Sequence, residues 1–208
     1  MAKILFITAT NTNIGKTYAS IQILKKLALI GYKVGACKPI ETGVDNIPQD
    51  AHKLLTIVKQ NNNRFKHLTP LDITAYSFKL PAAPFVADTK GIINIAKVCE
   101  KIMELSSYCD ILVVEGAGGL MVPIKRDYFM IDLIKELDAK TLLVTPSYLG
   151  SINETLLSIK ALEDKDIDFD WVVNLYRDKE EFKKITKPFY DAYFKEWQTL
   201  DEYIKTLS

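Results

Sequence analysis

Residues 9–17 combine the residue types that bind a phosphate group. They read ATNTNIGKT and lie between an apolar run, ILFIT, and a segment whose apolar residues recur at helical spacing. Backbone N–H groups at the start of such a helix point toward a bound anion, and the helix dipole favours its charge. Gly15 lets the backbone approach the ligand, Lys16 can reach the β- and γ-phosphates, and the Thr17 hydroxyl can ligate Mg²⁺. The run predicts a nucleotide site rather than an ordinary helix start, although Thr10 replaces the first glycine of the usual GxxxxGKS/T pattern.

Two more charged residues are predicted at the same crevice. Glu115 ends the apolar run ILVV and is followed by GAGG, whereas Lys38 ends a second predicted strand just before Pro39. The carboxyl ends of parallel strands face the crevice where open α/β sheets bind ligands. An acid at that point resembles the Walker B element that organises Mg²⁺, and a second lysine beside Lys16 would stabilise developing negative charge. Taken alone, either residue also fits a solvated strand end.

Strands and helices are predicted to alternate along the whole chain. Each apolar run short enough for a buried strand is followed by a segment with helical spacing, and Asp50 is predicted to cap one of these helices. The predicted strands are residues 3–8, 32–38, 110–115, 139–145 and 169–175. The alternation predicts an α/β fold with a mostly parallel central sheet and helices on both faces. No linker or repeat divides residues 1–208, which we expect to form a single domain.

The C-terminal segment, about residues 178–207, is predicted to be helical and amphipathic. Residues 176–208 hold 8 of the 21 aromatic residues, too many for a disordered tail. One face collects apolar side chains at intervals of three and four residues, namely Phe189, Tyr193, Trp197, Leu200, Ile204 and Leu207. We expect this face either to pack on the domain or to contact a partner subunit.

The composition argues against several classes of protein. The chain has 27 basic and 26 acidic residues and a net charge of +1, so it lacks the cationic surface that a nucleic-acid binder or a polybasic membrane protein needs. No apolar run approaches the ~18 residues of a membrane span. Its three cysteines, without a CxxC pair, favour neither a disulfide framework nor a zinc site. These features predict a cytoplasmic protein.

Four motifs, in order along the chain, resemble those of the dethiobiotin synthetase family. They are TATNTNIGKT, KPIETG from Lys38, EGAGG from Glu115 and GSIN from Gly150, and the resemblance extends over residues 3 to about 175. It implies a P-loop enzyme that carboxylates and cyclises 7,8-diaminopelargonate with CO₂ and MgATP, the penultimate step of biotin synthesis. A substrate amine takes up CO₂ as a carbamate, whose oxygen attacks the γ-phosphate. The second amine then closes the ring and releases phosphate.

The resemblance also implies a role for each residue that matches a family motif, in a homodimer whose active sites are shared between subunits. Catalysis is assigned to Lys38, Lys16 and Thr12, with the lysines stabilising the carbamate and the transferring phosphoryl group. Nucleotide binding is assigned to Asn13, Ile14, Gly15, Lys16, Thr17, Tyr18, Asp50, Glu115, Gly116, Ala117, Gly118 and Asn174, of which Asn174 reads the adenine. Mg²⁺ binding is assigned to Thr17, Asp50 and Glu115. Substrate binding is assigned to Thr42 and to the helix start that receives the substrate carboxylate from the other subunit, Gly150, Ser151, Ile152 and Asn153.

Departures from the family pattern leave alternatives to weigh. Ala9 and Asn11 replace the family's usual glycine and aspartate, and no Gly-x-Ile-Pro turn, which closes over the base in the family, follows Asn174. Partitioning ATPases, which are dimeric nucleotide switches, share the P-loop layout but carry an extra lysine near position 11. A cobyrinate-type amide synthetase would need a glutaminase domain that 208 residues cannot hold. A binding module with a degenerate P-loop is disfavoured by the retained Lys16, Thr17 and Glu115.

Overall fold

Strands and helices alternate along the chain in a computed structural model that describes residues 2–176 and 179–207. The strands are β1 (Lys3–Ala9), β2 (Val34–Cys37), β3 (Ile40–Thr42), β4 (Tyr76–Phe78), β5 (Ile111–Glu115), β6 (Pro123–Lys125), β7 (Tyr128–Phe129), β8 (Lys140–Thr145) and β9 (Phe169–Val173). The α-helices are α1 (Lys16–Leu29), α2 (Gln49–Asn61), α3 (Pro84–Ala87), α4 (Ile95–Ser106), α5 (Met130–Glu136), α6 (Ser151–Glu163), α7 (Lys179–Ile185), α8 (Lys187–Tyr193) and α9 (Leu200–Thr206). A 3₁₀-helix spans Asn63–Phe65.

Five parallel strands form the central sheet, in the order β2–β5–β1–β8–β9. The register sets Ile7 of β1 opposite Glu115 of β5 on one side and Leu142 of β8 on the other. The loop that follows β1 therefore leaves the sheet beside the carboxyl end of β5. The predicted α/β fold with a mostly parallel sheet is confirmed, and the phosphate loop and Glu115 share one edge of that sheet.

The central strands are apolar along most of their length because helices pack around the sheet. Phe6, Val113 and Leu142 have no exposed surface, and Ile23 and Leu24 of α1 are equally buried against the same core. Within the described ranges, no helix combines the length and the apolar character that crossing a bilayer requires.

Glycines mark both ends of α1. Gly15 precedes the helix with φ 96° and Gly31 follows it with φ 102°, both in the left-handed region that glycine adopts without strain. Gly31 follows the C-cap residue Ile30, the position at which glycine commonly ends a helix. Asn13 in the preceding loop is also left-handed (φ 61°), a conformation that asparagine tolerates. The left-handed conformations of Asn13 and Gly15 turn the phosphate loop directly into α1.

Two short strand pairs add to the predicted elements. β3 and β4 pair in parallel, with Glu41 opposite Ser77, and β6 and β7 pair in antiparallel fashion. Each of these strands is two or three residues long, too short for its sequence to show a period. β3 matters for the site because it carries Glu41 and Thr42 to the edge of the crevice.

The C-terminal segment differs from the single amphipathic helix that its spacing predicts. Three short helices, α7 to α9, replace it, and residues 194–199 between α8 and α9 are not helical. The Val173 amide donates to the Gln198 carbonyl (3.0 Å), which holds this stretch against the end of β9. Thr199 then starts α9, because its hydroxyl accepts from the Glu202 amide and its amide donates to the Glu202 carboxylate. Asp178, where the segment is predicted to begin, lies outside the described residues.

Aromatic side chains of this segment pack on the domain. Phe182 and Tyr190 are fully buried, although neither belongs to the predicted face, and the Tyr190 ring meets Trp171 of β9 edge to face at 5.6 Å. The Tyr190 hydroxyl lies 2.9 Å from the Thr155 hydroxyl of α6. Tyr193, a member of the predicted face, is 62% exposed. The tail therefore joins β9 to α6, and packing on the domain is the expectation that the structure supports.

Candidate active site

Glu115 is the buried centre of the site. It ends β5 with no exposed surface, and three side chains donate to its carboxylate. Thr17 Oγ1 and Lys38 Nζ lie 2.8 Å from Oε1, and Ser20 Oγ lies 2.8 Å from Oε2. A buried carboxylate is costly unless it is paired and hydrogen-bonded, and here both oxygens are satisfied.

Lys38 is buried beside Glu115 rather than solvated at a strand end. Its ammonium also donates to the Gly116 carbonyl (2.9 Å) and lies 3.7 Å from Asp50 Oδ2. Burial alone would lower the pKa of Lys38, but the charges of Glu115 and Asp50 outweigh it, so the pKa is raised. Lys38 is therefore a permanent cation at the wall of the crevice.

The Lys16 ammonium forms a hydrogen bond with the backbone of its own loop. Its Nζ donates to the Asn11 carbonyl (3.0 Å), and only 7% of the residue is exposed. Burial and then repulsion by Lys38 lower the pKa of Lys16 to about 8. An anion bound in the loop would offset both effects through its attraction to the ammonium, so the charge of this lysine is best stabilised when a phosphate is present.

Glu41 and Asp50 face each other at the start of α2. The helix begins at Gln49, so Asp50 lies in its first turn and is not the predicted cap. Instead, the Glu41 carboxylate accepts from the amides of Asp50 (2.9 Å) and Ala51 (3.0 Å). Burial raises the pKa of Glu41, although these two hydrogen bonds oppose the change.

Asn174 connects the phosphate loop to the end of β8 through two hydrogen bonds. Its side-chain amide donates to the Ile14 carbonyl (2.9 Å), and its backbone amide donates to the Thr145 carbonyl at the end of β8 (2.8 Å). A Cβ atom added to Gly15 would lie 2.3 Å from Asn174 Nδ2, so only glycine fits between them. The structure thus gives this residue a contact with the loop in addition to its predicted role at the adenine.

One cavity of about 960 Å³ collects most of the predicted site residues. Those that line it are Thr12, Asn13, Gly15, Lys16, Thr17, Tyr18, Lys38, Thr42, Asp50, Glu115, Ala117, Gly118 and Asn174. Ile14 and Gly116 lie just outside it, with their carbonyls bound by Asn174 and Lys38. The volume is at the upper end of the roughly 300–1,000 Å³ of ordinary ligand sites, which leaves room for two substrates.

The predicted helix start at residues 150–153 is not brought into this cavity. Gly150 (φ 99°) precedes α6, and the Ser151 amide donates to the Tyr148 carbonyl (3.1 Å). Ser151 is fully buried within its own chain, and its substrate role stays a prediction. Ile152 is half-buried, whereas Gly150 and Asn153 are exposed, so these three residues are accessible to a ligand.

A hydrogen bond nevertheless ties this helix start to the phosphate loop. Thr10 Oγ1 donates to Glu154 Oε2 (2.9 Å) in the first turn of α6. The Tyr148 hydroxyl donates to the same carboxylate at 3.0 Å. Burial and, to a smaller extent, this hydrogen bond raise the pKa of Tyr148 to about 12. Within one chain, the phosphate loop that lines the cavity is thus connected to a helix start that does not line it.

Comparison with known proteins decides the family. A family profile described as an AAA domain matches residues 3–189. A relative from Sulfurovum sp. (strain NBC37-1), named ATP-dependent dethiobiotin synthetase BioD, is 57% identical over 193 residues, which cover 93% of this chain and 92% of the relative. The chain belongs to the dethiobiotin synthetase family. A second relative of the same name, from Wolinella succinogenes, is 37% identical over 212 residues and covers 99% of this chain and 98% of its own length.

Dethiobiotin synthetases are ATP-dependent ligases of biotin biosynthesis, so the predicted family, enzyme class and pathway are confirmed. Solved structures with a similar fold include a plasmid partition protein from Borrelia burgdorferi (11% identity, TM-score 0.58, 99% of both chains). Another is the MinC:MinD complex from Aquifex aeolicus (19% identity, TM-score 0.53, 88% of this chain and 72% of that chain). At these identities the likeness shows the P-loop fold alone. The alternative of a partitioning switch is not favoured.

Two side chains of the candidate site, Ser20 and Glu41, lie outside the sequence predictions. Ser20 follows Lys16 by four residues, so it lies on the same face of α1 and reaches Glu115. Its helical spacing from Lys16 is a signal that could have identified it. Glu41 offers no comparable signal, because its partners lie nine and ten residues away across a loop.

Proposed function

We propose that the protein carboxylates and cyclises 7,8-diaminopelargonate to dethiobiotin in the cavity between the phosphate loop and Glu115, with MgATP and CO₂ as co-reactants. The observation that carries this assignment is the buried Lys38 ammonium, held by Glu115 and the Gly116 carbonyl beside the loop. A fixed cation at this point can stabilise the carbamate anion and the charge that develops as its oxygen attacks phosphorus.

The phosphate loop has the features that bind the triphosphate. Gly15 and the start of α1 present backbone amides and the positive end of a helix dipole to an anion. Lys16 needs only to leave the Asn11 carbonyl to reach a phosphate. Thr12 is exposed on the cavity wall, close enough to residues 116–119 that a Cβ on Gly118 would lie 3.6 Å from its hydroxyl. These residues orient the reacting groups.

The donors for Mg²⁺ fit the metal. The Thr17 hydroxyl and Glu115 Oε1 lie 2.8 Å apart, and Asp50 opens into the same cavity. All three offer oxygen, the ligand type that Mg²⁺ prefers. No group of three His, Cys, Asp or Glu side chains within the described part of the chain could hold a metal, so phosphate oxygens and water would complete the coordination. When bound, Mg²⁺ would neutralise charge on the phosphates.

The protein is proposed to act as a homodimer with shared sites. The diamine substrate carries its carboxylate far from its amines, and a carboxylate is stabilised at a helix start. Ile152 and Asn153 provide such a start but lie outside the cavity of their own chain. A two-fold axis would let each chain supply Asn153 to its partner's site.

The three cysteines of the protein are free thiols, which suit a reducing compartment. We therefore propose the cytoplasm as its location.

Phosphate release from MgATP, with and without diaminopelargonate and bicarbonate, tests the proposal. We expect release only when both are present, together with dethiobiotin detected by mass spectrometry. Lys38→Met protein should form both products about 10²–10³-fold more slowly under the same conditions. Release that ignores both substrates would contradict the proposal and favour a nucleotide switch.

A further inference from the structure

Glu41 is a buried acid for which the proposed mechanism has no direct use. It is 6% exposed, on β3 between Lys38 and Asp50 along the chain. Its Oε1 accepts from the Asp50 amide at 2.9 Å and its Oε2 from the Ala51 amide at 3.0 Å. Both oxygens are thus turned toward the backbone of α2 rather than toward a ligand.

The helix α2 depends on this contact for its first turn. Amides at the start of a helix lack partners within the helix and are usually satisfied by a nearby serine, threonine, aspartate or asparagine. Here the capping position is Pro48, which makes no side-chain capping hydrogen bond. Glu41 takes over that function from a separate strand and satisfies two amides at once.

The amide that Glu41 holds belongs to Asp50, whose carboxylate is proposed to bind Mg²⁺. Asp50 Oδ2 lies 3.7 Å from Lys38 Nζ, and its side chain is 34% exposed at the cavity. Since Glu41 fixes the backbone of Asp50, it limits where that carboxylate can go. The β3–β4 pairing fixes Glu41 in turn, with Ser77 opposite it.

We infer that Glu41 is a positioning residue: by capping α2 from β3, it holds the Asp50 carboxylate where bound Mg²⁺ needs it. The inference rests on the metal role proposed for Asp50. Glu41 acts through Asp50, because both of its oxygens accept hydrogen bonds from amides in the first turn of α2. Groups that orient a metal ligand commonly change metal affinity by roughly 10–100-fold when they are replaced.

Calorimetric titration of ADP at a series of Mg²⁺ concentrations tests the inference without relying on turnover. Glu41→Gln keeps the size of the side chain but presents an NH₂ group to one of the two amides. The Mg²⁺ midpoint is the Mg²⁺ concentration at which half of the Mg²⁺-dependent gain in ADP affinity is reached. We expect this midpoint to rise roughly tenfold, while ADP affinity in EDTA stays unchanged. Excess Mg²⁺ should restore wild-type ADP affinity. Glu41→Asp, which is too short to reach both amides, should shift the same midpoint and serves if Glu41→Gln does not fold.

Two comparison variants separate the possible outcomes. Glu202→Gln weakens an equivalent cap on α9, a helix that does not line the cavity, and should leave the Mg²⁺ midpoint unchanged. A midpoint that moves equally in Glu202→Gln and Glu41→Gln would overturn the inference in favour of a general loss of stability. Asp50→Asn tests the proposed function itself. If Asp50→Asn shifts the midpoint and Glu41→Gln does not, the positioning role is wrong; if Asp50→Asn shifts nothing, the metal role of Asp50 fails and the inference falls with it.

Discussion

Lys38 and Glu115 form an ion pair that water barely reaches, with side-chain exposures of 5% and 0%. Removing one member of such a pair leaves the other charged and unpaired in the interior, which typically costs about 3–5 kcal/mol. Thr17 and Ser20 would still donate to Glu115, which offsets part of that cost. A substitution at Lys38 therefore acts on stability as well as on chemistry, and the two effects must be measured separately.

Replacement of Lys38 by methionine, which preserves most of the side-chain volume, should lower turnover by about 10²–10³. Nucleotide affinity should remain close to wild type, because the loop and Lys16 are intact. Lys16→Met should lower both. Steady-state kinetics and nucleotide titration of each protein distinguish the two lysines, with urea denaturation as a check on folding. Lys160→Met, at an exposed ion pair on α6, is the matched control and should change neither. Wild-type turnover in folded Lys38→Met protein would exclude Lys38 from the mechanism.

The lowered pKa of Lys16 predicts how ATP capture depends on pH. Below about pH 8 the free enzyme holds Lys16 as an ammonium, and above it the amine is neutral. Since the ammonium attracts the phosphates, kcat/KM for ATP should fall as pH rises through about 8. At saturating ATP the bound anion stabilises the ammonium, so kcat should turn down only at a higher pH. Parallel profiles of kcat and kcat/KM across pH 6–10 check this, and a flat kcat/KM profile would contradict it.

Among the elements, the loop that leads into α1 has the least tolerance for change. Gly15 combines a left-handed backbone with a space that Asn174 closes, so a methyl group there meets both strain and a clash. Gly31 at the other end of α1 has nearly the same φ, yet nothing lies within 4 Å of an added Cβ. The two glycines thus separate backbone strain from steric fit.

Gly15→Ala should weaken nucleotide binding by at least tenfold, since the loop or Asn174 must move to admit the methyl group. Gly31→Ala should lower the free energy of unfolding by about 1–2 kcal/mol through backbone strain. Its nucleotide affinity should equal that of the wild type. Fluorescent ADP titration and urea denaturation of both variants provide the comparison. Equal nucleotide affinity in the two variants would show that the contact with Asn174 is unimportant.

Much of the fold was predictable because each buried parallel strand is a continuous apolar run and each following helix has its own period. The site could be predicted at Lys16, Lys38 and Glu115 because these residues end strands or open a helix. Short elements could not be predicted in this way, since two or three residues of β3 show no period. The cap that Glu41 provides was equally hidden, because its donors and acceptor come from different elements.

The C-terminal segment shows where periodicity misleads. Its apolar residues do recur at helical intervals, but Trp197 falls between two helices. Tertiary contacts override the pattern there: Gln198 accepts from β9, and Thr199 caps a new helix. A threonine followed by glutamate three residues later is itself a sequence signal for a helix start, and it could have placed the break.

On the scale of the whole molecule, the hydrogen bond between Thr10 and Glu154 joins two parts of one chain that would serve different active sites in the proposed dimer. The phosphate loop would act in its own site, and the start of α6 would act in the partner's. A shared active site can be tested by combining two inactive variants, one defective in the cavity and the other defective at the start of α6.

Mixtures of Lys38→Met and Asn153→Asp proteins should recover activity after subunit exchange. The added carboxylate of Asn153→Asp would repel the substrate carboxylate at the helix start. In a mixed dimer one site then carries both defects and the other carries neither, so random exchange should restore about a quarter of wild-type activity. Exchange is verified with differently labelled chains. No recovery after verified exchange, or full activity in a monomer, would contradict the shared site.

The bond between Val173 and Gln198 also bears on how this protein can be shortened. β9 is the last strand on its side of the sheet, and its outer edge is met by the chain's own residues at Gln198 and Thr199. An uncovered strand edge invites pairing with other molecules. A chain ending before α7 would uncover that edge together with the ring of Trp171, so aggregation during expression, rather than a smaller working enzyme, is the consequence of trimming the tail.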